Sequence, residues 1–447
     1  METEIYKLSI AEIGRAVRAG ELTARMISES FLDRTEKIEP RVNAWVAYDR
    51  SYIESQAARI DEFPTLHPLT GVPVGIKDIF NTEFYPTAKG SIAWEGYKAG
   101  NDARCVSYLR QNRAIIFGKT DTAELAVHAD GKAKNPHDFT KVTGSSSGGS
   151  AAAVATAMVP AALGSQTGGS TLRPASWCGV YAMKPSFGLI PRTGVLKTTD
   201  TLDTIGFFAR SYYDLPLLLD VLRIHGDNFP IQEGHLRNFQ EKTGHKWRIA
   251  FFRSPLENKT NDYVMGALEE FRKSLSSVGV EIRDIELPES AGSFQALHRR
   301  IYHPCLKYYL KAEFLKKPDS LSQTLREIFQ DADTLPPEDY GKALEEQAAL
   351  ATEMEKVFSS SGADFFLTNS SNGSAPTAEP EFHSDLNQLW TMCWLPCLNI
   401  PVFKCPEGLP YGLDLVGPRF SDYKMFSFLC FLGERSLIPL KSQMALP

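Results

Sequence analysis

Apolar residues recur at helical spacing over the first part of the chain. Leu8, Ile10, Ile13, Val17, Leu22, Met26, Ile27, Phe31 and Leu32 share one face of a 3.6-residue repeat. Gly20 divides this pattern into two helices, and Pro40 is expected to end the second. A third amphipathic stretch covers about residues 52–60. The pattern then changes. Val72, Val74 and Ile76 alternate with Pro73 and Gly75 and lead into Lys77-Asp78, an extended segment that ends at a buried lysine. Residues 114–117 read as a buried strand, preceded by a helix carrying Val106, Tyr108 and Leu109. Residues 247–252 predict a strand, about 262–278 a helix, and 280–282 the start of another strand. That β-α-β order predicts a parallel pair. Residues 290–358 combine charge with helical patterning, as a peripheral layer would. Residues 363–367 and 411–417 read as strands and 425–434 as a helix. The alternation predicts an α/β protein.

Composition narrows the function classes. The 447 residues carry 48 Lys+Arg against 54 Asp+Glu, a formal net charge of −6, which argues against a nucleic-acid binder with its basic stripe. No run of 18 apolar residues is present, so no membrane span is expected; the longest small-apolar stretch, 151–163, is short and interrupted by Pro160. Residues 1–20 lack the apolar core of a secretory leader. Seven cysteines are odd in number and sparse, which predicts free thiols in a cytoplasmic protein. Cys393 and Cys397 are four apart, but no second Cys/His pair completes a zinc site, and no metal or cofactor is expected.

Residues 143–176 stand apart. Of these 34 residues, 17 are Gly, Ser or Thr and Arg173 is the only charged one. A flexible linker would share that composition, but the small apolar residues at 151–155 predict a deeply buried helix directly after GSSSGGS. Within Thr167-Gly168-Gly169-Ser170, two glycines allow successive backbone N–H groups to converge beside a serine, as an oxyanion hole requires. A serine nucleophile needs a base. None of the nine histidines lies in this stretch, so the base is either a histidine brought in by the fold or Lys77, whose apolar neighbours would lower its pKa. Surface pairing of Lys77 with an acid is the plain alternative. Gly144-x-Ser146-x-Gly148 also fits a nucleophile elbow, which would make Ser146 the nucleophile. Gly118-Lys119-Thr120 lacks the rest of a phosphate loop and reads as structural. Ser421-x-x-Lys424 reads as the start of the last helix. Arg173 could bind an acidic substrate or clamp a loop. His128 and Trp394 are pocket or packing residues, and Cys178 a buried small hydrophobe.

The segments GVPVGIKD (71–78), NPHDFTKVTGSSSGGSAAAVA (135–155) and GSQTGGSTLRPASWCGVYAMKPSFGLIPRTGV (164–195) together resemble the amidase signature family. So do residues 8–34, 102–126, 201–211, 395–402 and 409–418; residues 215–360 show little that is diagnostic. The resemblance implies one amidase domain over residues 1–447, with a core at about 70–210, a more helical region at about 215–360, and a large central mixed β-sheet flanked by helices. It implies Ser170 as nucleophile, Ser146 as a bridging serine reached through a cis peptide, and Lys77 as base, with the backbone N–H groups of Thr167, Gly168, Gly169 and Ser170 holding the oxyanion. The 24-residue separation of Ser146 and Ser170 matches the family pattern.

The chain departs from that pattern in places. Ser145 stands where glycine is usual, Gln166 where Asp is common, Arg173 lies one place late after the nucleophile, a proline is missing near Leu367, and Trp394 replaces a glycine. The implied activity is hydrolysis of a small-molecule amide-type bond, with no nucleic-acid or membrane partner and a homodimer as the family's common state. Two alternatives are a subunit of a glutamine-dependent amidotransferase and a catalytically silent scaffold.

Overall fold

Eleven strands form one mixed sheet in this computed structural model, which describes residues 4–63, 65–127, 131–226, 245–378 and 385–446. In chain order they are β1 (Trp45–Tyr48), β2 (Pro73–Lys77), β3 (Ile115–Thr120), β4 (Ala161–Gln166), β5 (Tyr181–Lys184), β6 (Thr204–Ala209), β7 (Arg248–Phe252), β8 (Glu281–Ile285), β9 (Phe365–Asn369), β10 (Cys397–Lys404) and β11 (Pro410–Val416). In space the order is β1-β3-β2-β4-β6-β5-β10-β11-β9-β7-β8. β2 runs parallel to β3 and β4, and β7 parallel to β8 and β9. The remaining pairs are antiparallel. The predicted parallel pair is thus β7–β8, joined by the helix Asp262–Ser277.

Every residue of β2 and β3 is buried, as expected of parallel strands covered on both faces. The helix Gly148–Ala155 is buried along its whole length. Its small side chains let it press on the sheet: a Cβ at Gly149 would lie 2.4 Å from the Asp121 nitrogen and 2.6 Å from the Ala44 carbonyl oxygen. Behind the sheet's other half lie the helices Phe294–Tyr309, Gln323–Asp333 and Pro337–Ser361, the layer that charge and periodicity predicted.

Two differences from the sequence reading have physical causes. Pro40 does not end its helix, which continues to Val42. Proline's φ suits a helix, and the real stop is Asn43 in the left-handed region at φ 54°. The Glu39 carboxylate then accepts the N–H groups of Ala44 and Trp45 at 2.9 and 3.0 Å. The strands β1, β4, β5, β6 and β10 carry no periodicity that marks them. β4 is Ala-Ala-Leu-Gly-Ser-Gln, which has little β propensity and is extended because β2 and β6 pair with it on both sides.

Among the described residues, no helix is long and apolar enough to cross a membrane. None of the described His, Cys, Asp and Glu side chains gather in groups of three or more suited to a metal ion.

Candidate active site

Lys77 is the last residue of β2. The parallel register that sets Ile76 against Leu163 carries its side chain to Ser165 on β4. The Lys77 amine lies 2.7 Å from Ser146 Oγ, 2.8 Å from Ser147 Oγ and 2.9 Å from Ser165 Oγ. The residue is wholly buried. Burial drives its pKa well below the ordinary lysine value, and the charge of Asp203 opposes that shift. Three hydroxyls surround the amine, and among the described residues no carboxylate bonds to it. A neutral amine in that setting has a lone pair to offer, and hydroxyls, unlike carbonyls, can either donate to it or accept from it.

Ser146 follows a cis peptide bond from Ser145. Its loop is gripped from the neighbouring helix, Leu172–Cys178. The Arg173 guanidinium donates to the Ser145 carbonyl at 3.2 Å and pairs with Asp385 at 2.6 Å. Arg173 is 1% exposed, so of its two sequence readings the structure gives the loop clamp. The Ser146 loop also packs directly against that helix. Gly144, at φ 93°, has room for no side chain: a Cβ would lie 2.9 Å from Pro174 Cα.

The loop 167–171 joins β4 to the helix Leu172–Cys178. Gln166 anchors it. Its side-chain oxygen accepts the N–H groups of Thr171 and Leu172 at 3.0 and 3.1 Å, and its amide nitrogen donates to Thr391 at 3.0 Å. A neutral carboxamide therefore fills the anchoring place without adding charge. The Thr167 hydroxyl donates to Asp203 at 2.8 Å. His298 lies 3.1 Å from the Thr167 carbonyl, and Thr391 2.8 Å from that of Gly168. The Gly169 carbonyl accepts from Arg173 N at 3.0 Å. Against this, the N–H groups of Gly168, Gly169 and Ser170 donate to no acceptor among the described residues. Ser170 itself is 8% exposed.

Asp203 ties this loop to the cavity wall. Besides Thr167 it accepts from the hydroxyls of Thr198 and Thr199 at 2.6 and 2.8 Å and from their backbone nitrogens at 2.8 and 3.1 Å. Ser165, Thr167 and Asp203 face a cavity of about 240 Å³ whose apolar side includes Ile79, Ala126 and Leu196. A separate surface hollow of about 1060 Å³ lies between the N-terminal helices.

The other sequence candidates fall elsewhere. Lys119 is buried on β3 and paired with Asp78 at 2.9 Å, so the GKT segment is structural. Ser421 and Lys424 begin the helix Asp422–Glu434, where Lys424 bonds to Asp364. Trp394 donates its indole N–H to the Thr201 carbonyl at 2.9 Å, a packing role. Cys178 is buried, and burial raises its thiol pKa. His128 lies outside the described residues. The sequence reading missed Ser147, Ser165, Asp203, His298 and Thr391 as parts of the site. Ser165 shares a strand face with Leu163, a signal that recognising β4 would have supplied; nothing marked His298.

A family model described as Amidase matches residues 26–426. A glutamyl-tRNA(Gln) amidotransferase subunit from Syntrophus aciditrophicus (strain SB) is 32% identical over 300 residues, which cover 64% of this chain and under two thirds, 62%, of that protein. The protein of the same name from Natranaerobius thermophilus (strain ATCC BAA-1301 / DSM 18059 / JW/NM-WN-LF) is 28% identical over 94% of both chains. A solved structure described as an amidase superposes with a TM-score of 0.84 at 26% identity, covering 96% of this chain and 100% of its own. The sheet, the serine loops and a family match spanning most of the chain agree: this chain belongs to the amidase signature family.

Proposed function

We propose that the protein hydrolyses a carbon–nitrogen amide-type bond of a small molecule through Ser170, Ser146 and Lys77. The observation that carries this reading is the Lys77 amine, buried, 2.7 Å from Ser146 Oγ and bonded to no carboxylate among the described residues. Neutral Lys77 takes a proton from Ser146 while Ser146 takes one from Ser170. Ser170 attacks the substrate carbonyl, and the developing oxyanion lies among the N–H groups of Thr167, Gly168, Gly169 and Ser170, the last three of which donate to no acceptor among the described residues. Each such donor contributes about 3–4 kcal/mol of transition-state stabilisation. Ser146 returns the proton to the leaving nitrogen, and water repeats the relay on the acyl-enzyme. No metal or cofactor enters the scheme.

A second reading has its own support. The Natranaerobius relative, alike over 94% of both chains, is one subunit of an amidotransferase. In that case the same chemistry would release ammonia from glutamine inside an assembly. One experiment separates the two. Ammonia release is measured from aliphatic amides, aryl amides, urea-type compounds and glutamine, with wild type and Ser170→Ala. Release by wild type alone supports the amidase reading. Release by both overturns Ser170 as nucleophile. Release only from glutamine, and only when partner proteins are added, favours the second reading.

A further inference from the structure

The helix Phe294–Tyr309 belongs to the stretch in which the sequence offers no catalytic motif, yet it sends one side chain into the loop beside Ser170. His298 is 4% exposed and packs on Tyr302 with ring centroids 5.1 Å apart. Its Nε2 is 3.1 Å from the Thr167 carbonyl oxygen and would be 3.9 Å from a Cβ placed on Gly168. A carbonyl only accepts, so Nε2 carries the hydrogen. Burial also lowers the imidazole pKa to about 4, so the ring is neutral with Nδ1 bare. The ring therefore presents a single donor, aimed at one peptide.

That peptide joins Thr167 to Gly168. Outside Ser145–Ser146, the described peptide bonds are trans. In a trans peptide the C=O and N–H point in opposite directions. Holding the Thr167 carbonyl against His298 therefore turns the Gly168 N–H the other way. The next peptide is held less firmly. The Thr391 hydroxyl has one hydrogen and lies 2.8 Å from the Gly168 carbonyl and 2.9 Å from that of Asn387. Glycine at 168 and 169 leaves both peptides free to rotate unless something outside the loop holds them.

We propose that His298 is a positioning residue of the active site, fixing the Thr167–Gly168 peptide so that the Gly168 N–H is preset for the oxyanion. The inference rests on the Ser170 reading above. It gives the helical layer a part in the chemistry through a hydrogen bond to main chain, with no contact to the reacting atoms.

The test compares His298→Gln with His298→Met. The two side chains match in length, and only glutamine brings an N–H. Active-site titration with an acylating inhibitor counts competent sites, so any loss of folded protein is divided out. His298→Met is expected to lower kcat about 10- to 100-fold with KM within about twofold, and His298→Gln to recover most of it. The affinity of a boronic acid that forms a tetrahedral serine adduct should fall in step with kcat/KM. Equal losses in both variants, or a full kcat in His298→Met while Ser170→Ala is inactive, would overturn the role of His298 and leave the Ser170 reading standing. An active Ser170→Ala would remove the reading itself.

Discussion

Two lysines on neighbouring strands near one edge of this sheet have different surroundings. Lys77 on β2 and Lys119 on β3 are both fully buried, and burial lowers the pKa of each. Their partners differ. Lys119 has the Asp78 carboxylate at 2.9 Å, the Phe80 carbonyl at 2.8 Å and the Thr87 hydroxyl at 2.8 Å. Burial pushes Asp78 and Lys119 toward their neutral forms, and the charge of each opposes the shift in the other. Among the described residues Lys77 bonds through its amine only to hydroxyls. A carboxylate partner keeps a buried amine charged and fixed, whereas hydroxyls leave it able to gain and lose a proton. In the proposed mechanism it is the lack of a bonded acid, together with burial, that suits Lys77 to act as the base.

The comparison can be broken at several points. The largest effect is expected from Lys77→Met. It should lower kcat/KM by about three orders of magnitude or more in steady-state assays, since the relay loses its acceptor. Lys119→Met should act on folding instead. It strands the Asp78 carboxylate and should destabilise the protein by about 3–5 kcal/mol in denaturant titration, with turnover per folded molecule unchanged. Replacing both Lys119 and Asp78 by apolar residues should recover part of that loss.

The pH dependence follows from the sign of the Lys77 shift. In the proposed relay the active form is the neutral amine, so kcat/KM should rise with pH through the lowered pKa and then level off. Stability should show the same residue. Between the lowered folded value and about 10.4, the unfolded chain binds a proton that the folded protein does not, so stability rises with pH across that window. Lys77→Met should flatten the corresponding slope of Tm against pH. The smallest effect is expected from Ser165→Ala. Removing one of three hydroxyl partners withdraws an acceptor from the ammonium, and should shift the acid limb of kcat/KM to lower pH by under about one unit.

Legibility in the sequence was uneven for physical reasons. β2 and β3 were visible because parallel strands covered on both faces are continuously apolar, and Lys77 stood out as the polar end of such a run. Ser146 and Ser170 were visible through motif and spacing. Ser147 was hidden inside a run of three serines, and Ser165 on a strand whose composition resembles a loop. His298 and Thr391 were hidden more deeply. Each reaches the site by tertiary contact alone, and a histidine on an amphipathic helix has no local signature separating a donor to a distant carbonyl from a packed ring. The departures from the family pattern became intelligible only in three dimensions. Gln166 keeps the loop anchored, and Trp394 occupies a left-handed position, φ 61°, of the kind that glycine takes without strain.

The strand order also constrains how the protein can be made. β10 and β11, residues 397–416, lie in the middle of the sheet between β5 and β9. A chain emerging from the ribosome offers β1 to β9 first, as two groups that have no direct edge in common. The hydrogen-bonded link from β5 across to β9 is missing until the last two strands are synthesised. The half that carries Lys77, Ser146 and Ser170 must wait with the β5 edge open, a template for mispairing. The molecule is assembled like an arch whose keystone is delivered last, so expression yield should depend on what shields that open edge during translation.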